Sequence, residues 1–227
     1  MTTIAANLQA VKARISAACV KAGRNPESVV LLAVSKTWPI ASLQEALACG
    51  QRAFGENYMQ EAEAKIMALR TLGLEWHFIG PLQGNKTRAA AANFDWVHSV
   101  DRLKLAQRLS AQRPQELSPL QLCLQVNVSG EASKSGCAPA EVPMLAKAVA
   151  LLPGLKLRGL MAIPEPTEDV TLLRSRFALL RQLRDDLNTQ GLALDTLSMG
   201  MSHDLETAIA EGATIVRVGT AIFGKRQ

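Results

Sequence analysis

Aromatic residues are scarce in this 227-residue chain: five Phe, three Trp and one Tyr. They do not interleave with the 25 Lys and Arg, and those basic residues are scattered rather than gathered in a run. A nucleic-acid surface would show a basic stripe, so that class of partner is set aside. The net charge of +5 is read as ordinary solubility with some help for an anionic ligand. Cysteine is also sparse. Cys19, Cys49, Cys123 and Cys137 show no Cys-x-x-Cys spacing, which excludes a disulfide framework and a zinc knuckle. His77, His98 and His203 lack close ligand spacing and an acidic cluster, so no metal is expected. No apolar stretch is long enough to span a membrane. The first residues lack a basic region followed by an apolar stretch. A reduced cytoplasm is the expected location.

What the chain does have is a rhythm. Ile4, Leu8, Val11, Ile15 and Cys19 repeat at helical spacing, so an amphipathic helix opens the sequence. Apolar, β-branched runs then alternate with helical patterns. Strands are expected near residues 29–34, 51–57, 74–80, 95–100, 120–128, 155–163, 196–200 and 215–222. Pro39 suits a first helical turn, and Gly50 the residue past a helix end. Asp101 is expected to cap the helix carrying Leu105 and Leu109. Eight strands alternating with helices is the arithmetic of a closed (β/α)8 TIM-type barrel preceded by an N-terminal helix. An open doubly wound sheet usually has fewer strands. No linker or composition shift divides residues 1–227, so one domain is expected, and nothing in the sequence obliges a dimer; a monomer is expected.

In such a barrel the site lies at the C-terminal mouth of the strands. Lys36 ends the first strand there. Desolvation disfavours an ammonium, and an amine that sheds its proton near neutral pH attacks carbonyls to form a Schiff base. The bland alternative is a lysine that ends a strand and reaches water. A second constellation is Ser198-Met-Gly-Met-Ser-His-Asp204, joining a strand to a helix. Here Ser202 is expected to cap the helix, and helix N-termini bind phosphate. Gly219-Thr220 offers a second amide nest. Arg217 stands within the last strand and needs a partner. That partner is either a mouth carboxylate such as Glu56 or an acceptor atom on a bound ring.

These residues resemble a known family. Lys36 after strand one, Phe54-Gly-Glu-Asn-Tyr58, Trp76-His-Phe-Ile-Gly-Pro-Leu-Gln83 with Asn85-Lys86, Ser133-Lys-Ser-Gly136, Gly159-Leu-Met-Ala-Ile-Pro164, Leu197-Ser-Met-Gly-Met-Ser202 and Val216-Arg-Val-Gly-Thr-Ala-Ile-Phe-Gly224 occur in order. Together they look like the pyridoxal phosphate homeostasis proteins, over nearly the whole chain. The resemblance implies a barrel of the alanine-racemase type with pyridoxal 5′-phosphate (PLP) on Lys36. It implies phosphate contacts at Met201 (through its amide), Ser202, Gly219 and Thr220, a ring-nitrogen contact at Arg217, and Asn57 beside the cofactor. His77 lies in a family motif without an assigned contact. Two positions depart from the pattern: Trp38 stands where Lys is usual, and His203 where an acid is usual. The resemblance implies a carrier that holds, buffers or delivers PLP, with PLP-dependent apoenzymes as transient partners and no catalytic residues.

The rival reading is a PLP enzyme, an amino-acid racemase or decarboxylase. A two-base racemase needs a second base, which in the alanine racemases is a tyrosine from an additional domain of a partner subunit. This chain has one tyrosine, Tyr58, and a length that leaves no room for such a domain. An arginine at the ring nitrogen also weakens PLP as an electron sink. A third reading is a phosphate-ligand barrel enzyme in which Lys36 is not reactive.

Overall fold

The structure is a computed structural model, and it describes residues 3–130 and 135–225. Among these, eight parallel strands close into a barrel in sequence order: β1 (Val30–Val34), β2 (Ala53–Glu56), β3 (Glu75–Phe78), β4 (Trp96–Val100), β5 (Leu120–Gln125), β6 (Leu155–Met161), β7 (Thr196–Ser198) and β8 (Ile215–Val218). β1 pairs with both β2 and β8, which closes the ring. The outer layer holds α1 (Ile4–Lys21), α2 (Ile40–Ala48), α3 (Met59–Leu69), α4 (Thr87–Asn93), α5 (Leu103–Gln112), α6 (Val142–Ala150), α7 (Val170–Thr189), α8 (Leu205–Ala210) and α9 (Thr220–Phe223).

The barrel has two cores, because alternate strand residues face opposite sides. Leu32, Val34, Ala53, Ile79, Trp96, Cys123, Met161 and Ile215 form a cluster inside the ring. The larger core lies between strands and helices and includes Ala33, Phe54, Trp76, Val97 and Leu124. α1 buries Leu8, Val11, Ile15, Ala18 and Cys19 there. Each such leucine or valine contributes roughly 1.5–3 kcal/mol. Thr3 caps α1 through a bond to the Ala6 amide.

Three expectations needed correction. Residues 220–222 extend no strand; β8 stops at Val218 and α9 starts at Thr220. β-branched Thr220 and Ile222 gave the segment a strand-like composition, but Ile222 and Phe223 bury against the helical layer. Asp101 does not cap α5. Arg102 occupies the cap position, and the Asp101 carboxylate takes its guanidinium at 2.8 Å. β7 is three residues long, because Gly200 turns the chain with φ +92°. A Cβ at Gly200 would lie 2.6 Å from that of Ala208, so glycine is required both for the angle and for the space. A 3-10 turn, Pro139–Glu141, precedes α6.

Candidate functional site

One cavity of about 230 Å3 opens at the C-terminal mouth of the strands. Lys36, Asn57, Met201, Ser202, Arg217, Gly219 and Thr220, the seven residues singled out in the sequence, all line it. Val34, Ile79 and Ile163 supply apolar wall, and Trp38 and His203 complete the rim. The motif at residues 133–136 falls partly outside the described residues, which exclude Ser133 and Lys134.

Lys36 follows β1 in a tight turn and is half-buried. It shares the inward parity of Leu32 and Val34. The turn is unusual, since Thr37 has φ +68°. A β-branched residue is strained in that region, so something must hold it. The holder is a buried network beneath the turn. Glu61 accepts the Thr37 amide and also the Lys65 ammonium. Lys65 donates further to the Ser35 carbonyl and to Glu56 Oε1, each at 2.7 Å. The Ser35 hydroxyl meets the same Glu56 oxygen at 2.6 Å. Residues 35 and 37 are therefore clamped on either side of Lys36. Burial pushes the Glu56 carboxyl up from its usual range, against the downward pull of Lys65 and Ser35. Lys65 reads in the sequence as a solvent-facing lysine within α3, yet it is buried.

Arg217 is buried in β8, level with Leu32 of β1. Burial lowers its pKa to about 10, opposed by Asp204. It does not pair with Glu56. Its NH1 donates to the carbonyl and the hydroxyl of Ser198, and its NH2 donates to the Ala162 carbonyl at 2.8 Å. Glu56 faces the helical layer instead, where Lys65 takes it. Three of five guanidinium donors are used in this way, which leaves donors for a ligand in the cavity.

The two phosphate-type turns are tied together. Ser202 does not cap α8; Asp204 holds the cap position without a side-chain cap bond. The Ser202 hydroxyl instead accepts from the Ala221 amide at 3.4 Å, bridging to α9. Asp204 accepts the Met201 amide, so that amide is already engaged. α1 braces both turns: Arg14 donates to the Ser202 carbonyl at 3.1 Å, and Asn7 to the Ile222 carbonyl at 2.8 Å. Gly219 packs close under this arrangement, since a Cβ there would sit 3.2 Å from the Val34 carbonyl. Across the cavity, Asn57 Oδ1 is buried and has no hydrogen-bond partner among the described residues. Trp38 stacks on Phe223 with centroids 5.8 Å apart, joining the Lys36 turn to α9.

His77 does not line the cavity. It stacks on Trp96 inside the barrel and meets His98 at 2.9 Å. Among the described residues no group of three or more His, Cys, Asp or Glu is placed to hold a metal, and no helix is long and apolar enough to cross a membrane.

This barrel, with a lysine at the first strand end and two linked turns after the last two strands, defines a class. Residues 3–227 match the family model described as alanine racemase, N-terminal domain. The chain is 64% identical over 226 residues to the Pseudomonas aeruginosa protein named pyridoxal phosphate homeostasis protein, covering 100% of this chain and 97% of that one. It is 53% identical over 232 residues to the Escherichia coli protein of the same name, covering 100% and 98%. Among solved structures, PipY of Synechococcus elongatus with PLP bound superposes with a TM-score of 0.85 at 40% identity, covering 98% of this chain and 100% of that one. The alanine racemase of Corynebacterium glutamicum shares the fold, with a TM-score of 0.71 at 19% identity, covering 96% of this chain and 62% of the racemase. The chain belongs to the pyridoxal phosphate homeostasis protein family.

Proposed function

We propose that this protein holds PLP reversibly as a Schiff base on Lys36 and buffers or delivers it inside the cell, as one functional unit over residues 1–227. The observation that carries this reading is the convergence of Lys36, Arg217 and the Ser202 and Gly219–Thr220 turns on one cavity. The likeness to PipY with PLP bound supports the cofactor. The donor set fits the group: an amine for the aldehyde, hydroxyls and first-turn amides for a phosphate, and a guanidinium for a ring acceptor. The orphaned Asn57 Oδ1 suits a ligand donor, because buried polar atoms are normally paired.

When bound, PLP supplies an electrophilic carbon and a pyridine ring able to draw electrons. The residues here favour holding over turnover. Arg217 offers the ring nitrogen a donor and gives up no proton readily, which leaves that nitrogen unprotonated and the sink weak. Tyr58, the one tyrosine, is exposed at the start of α3 rather than in the cavity. The PLP-loaded protein is therefore expected to leave the α-hydrogen of added L-alanine in place in D2O, and to yield its PLP slowly to an apoenzyme. Deuterium incorporation at catalytic rates would favour the racemase reading instead.

A further inference from the structure

A second polar network, separate from the clamp on Lys36, runs through the inside of the barrel and ends at Arg217. Glu75 Oε1 lies 2.6 Å from His77 Nε2. His77 Nδ1 lies 2.9 Å from His98 Nε2, and His98 Nδ1 lies 2.8 Å from Ser198 Oγ. Arg217 NH1 completes the column at 2.8 Å from the same hydroxyl. His77, His98 and Ser198 are fully buried, whereas the Glu75 side chain is 49% exposed at the start of β3. The column thus spans from the lower rim of the barrel to the cavity.

The direction of each link follows from the two ends. Arg217 only donates, so Ser198 Oγ accepts from it. An ionised Glu75 only accepts, so His77 Nε2 carries a hydrogen; the His77 bond holds the Glu75 carboxyl below its usual range. With neutral rings, His77 Nδ1 is then bare and takes a hydrogen from His98 Nε2. His98 Nδ1 is bare in turn and takes the Ser198 hydroxyl hydrogen. The reverse order would bring two donors onto Ser198 and strand its hydrogen in a dry interior. The surroundings favour a neutral His98 ring. Burial holds His98 well below the usual histidine range, with the Arg217 charge adding to the effect. Cys123 on β5 is pushed up to about 12 by burial and stays a thiol. On β6, Arg158 lies over the Trp96 ring and is taken up by Asp195 and Gln121.

We propose that Ser198, His98 and His77 are positioning residues for Arg217, forming a one-way donor chain to Glu75 that fixes the guanidinium in the orientation a bound pyridine nitrogen meets. The ligand half of this statement rests on the PLP reading above; the direction of the chain does not.

The test uses histidine labelled with 15N in the PLP-free full chain, read by NMR for which ring nitrogen carries hydrogen. Both His77 and His98 are expected as the Nε2–H tautomer, with a nitrogen–nitrogen coupling across the bond between them. Glu75→Leu, at the half-exposed end, is expected to leave His98 in the Nε2–H form, because Arg217 still makes Ser198 the donor to His98 Nδ1. Ser198→Ala is expected to weaken PLP binding about tenfold while borohydride still traps the cofactor on Lys36. A His98 that carries its hydrogen on Nδ1 in the unaltered protein would overturn the chain. PLP affinity unchanged in Ser198→Ala would overturn its role at Arg217. Failure to trap PLP on Lys36 in the unaltered protein would overturn the cofactor reading, and the tautomer result would still judge the chain.

Discussion

Two buried cations lie on opposite sides of the barrel wall. Lys65, between strands and helices, meets two carboxylates, Glu56 and Glu61, and a carbonyl. Arg217, inside the ring, meets only neutral oxygens among the described residues. In the first arrangement the ammonium is paired with two carboxylates and a carbonyl, and the cluster holds the backbone on both sides of Lys36. The second leaves charge and donors facing a cavity. A buried cation without its own anion is costly unless something compensates it, and an anionic ligand does so. One cluster shapes the site, and the other is kept for what enters it.

Exchange of the two cations for uncharged chains tests the contrast most strongly. Lys65→Met leaves Glu56 buried without its ion-pair partner, and a loss of roughly 3–5 kcal/mol of unfolding free energy is expected in urea titrations without PLP. Arg217→Met strands only neutral oxygens, so a loss nearer 1–3 kcal/mol is expected, together with much weaker PLP binding. Equal destabilisation by the two changes would erase the distinction. Next in size is the phosphate end. Ser202→Ala or Thr220→Val removes a hydroxyl from the cavity wall, and PLP retention is expected to fall about tenfold or more with Lys36 still trapped. Unchanged retention would count against a phosphate at these turns.

A third prediction concerns pH. The folded state keeps His98 neutral, since burial depresses its pKa, while the unfolded chain protonates it below about pH 6.5. The neutral ring's contribution is therefore complete above that pH and declines as pH falls toward the folded-state pKa, by about 1.4 kcal/mol per unit. His98→Asn is expected to flatten the stability profile between pH 6.5 and 5; an unaltered slope would show that His98 is not the group. The smallest effect belongs to Thr37. Thr37→Gly relieves about 1 kcal/mol of backbone strain and adds a similar entropy to the unfolded chain, so thermal stability is expected to stay nearly constant. A large drop would mean that the threonine side chain itself holds the Lys36 turn.

The barrel was legible because apolar runs and helical spacing repeat eight times, and the mouth residues follow from where each run ends. What the sequence concealed is lateral. His77 and His98 are 21 positions apart, yet they meet because β3 and β4 are neighbours and both side chains point inward. The signal was present as a polar residue inside each of two apolar runs, but spacing along one element does not report contacts across two. Lys65 stayed hidden because a lysine on a helix normally reaches water. Glu56 seemed available to Arg217 until parity placed it on the outer face of β2. α9 has the composition of a strand, and the turn at Gly219 that separates it from β8 leaves little mark in the sequence.

The central claim is that Lys36 and the two linked turns make a PLP site. Borohydride reduction of the purified protein with PLP, followed by peptide mass mapping, tests it most directly. The account predicts a phosphopyridoxyl adduct confined to Lys36. No adduct, or adducts scattered over surface lysines, would contradict it.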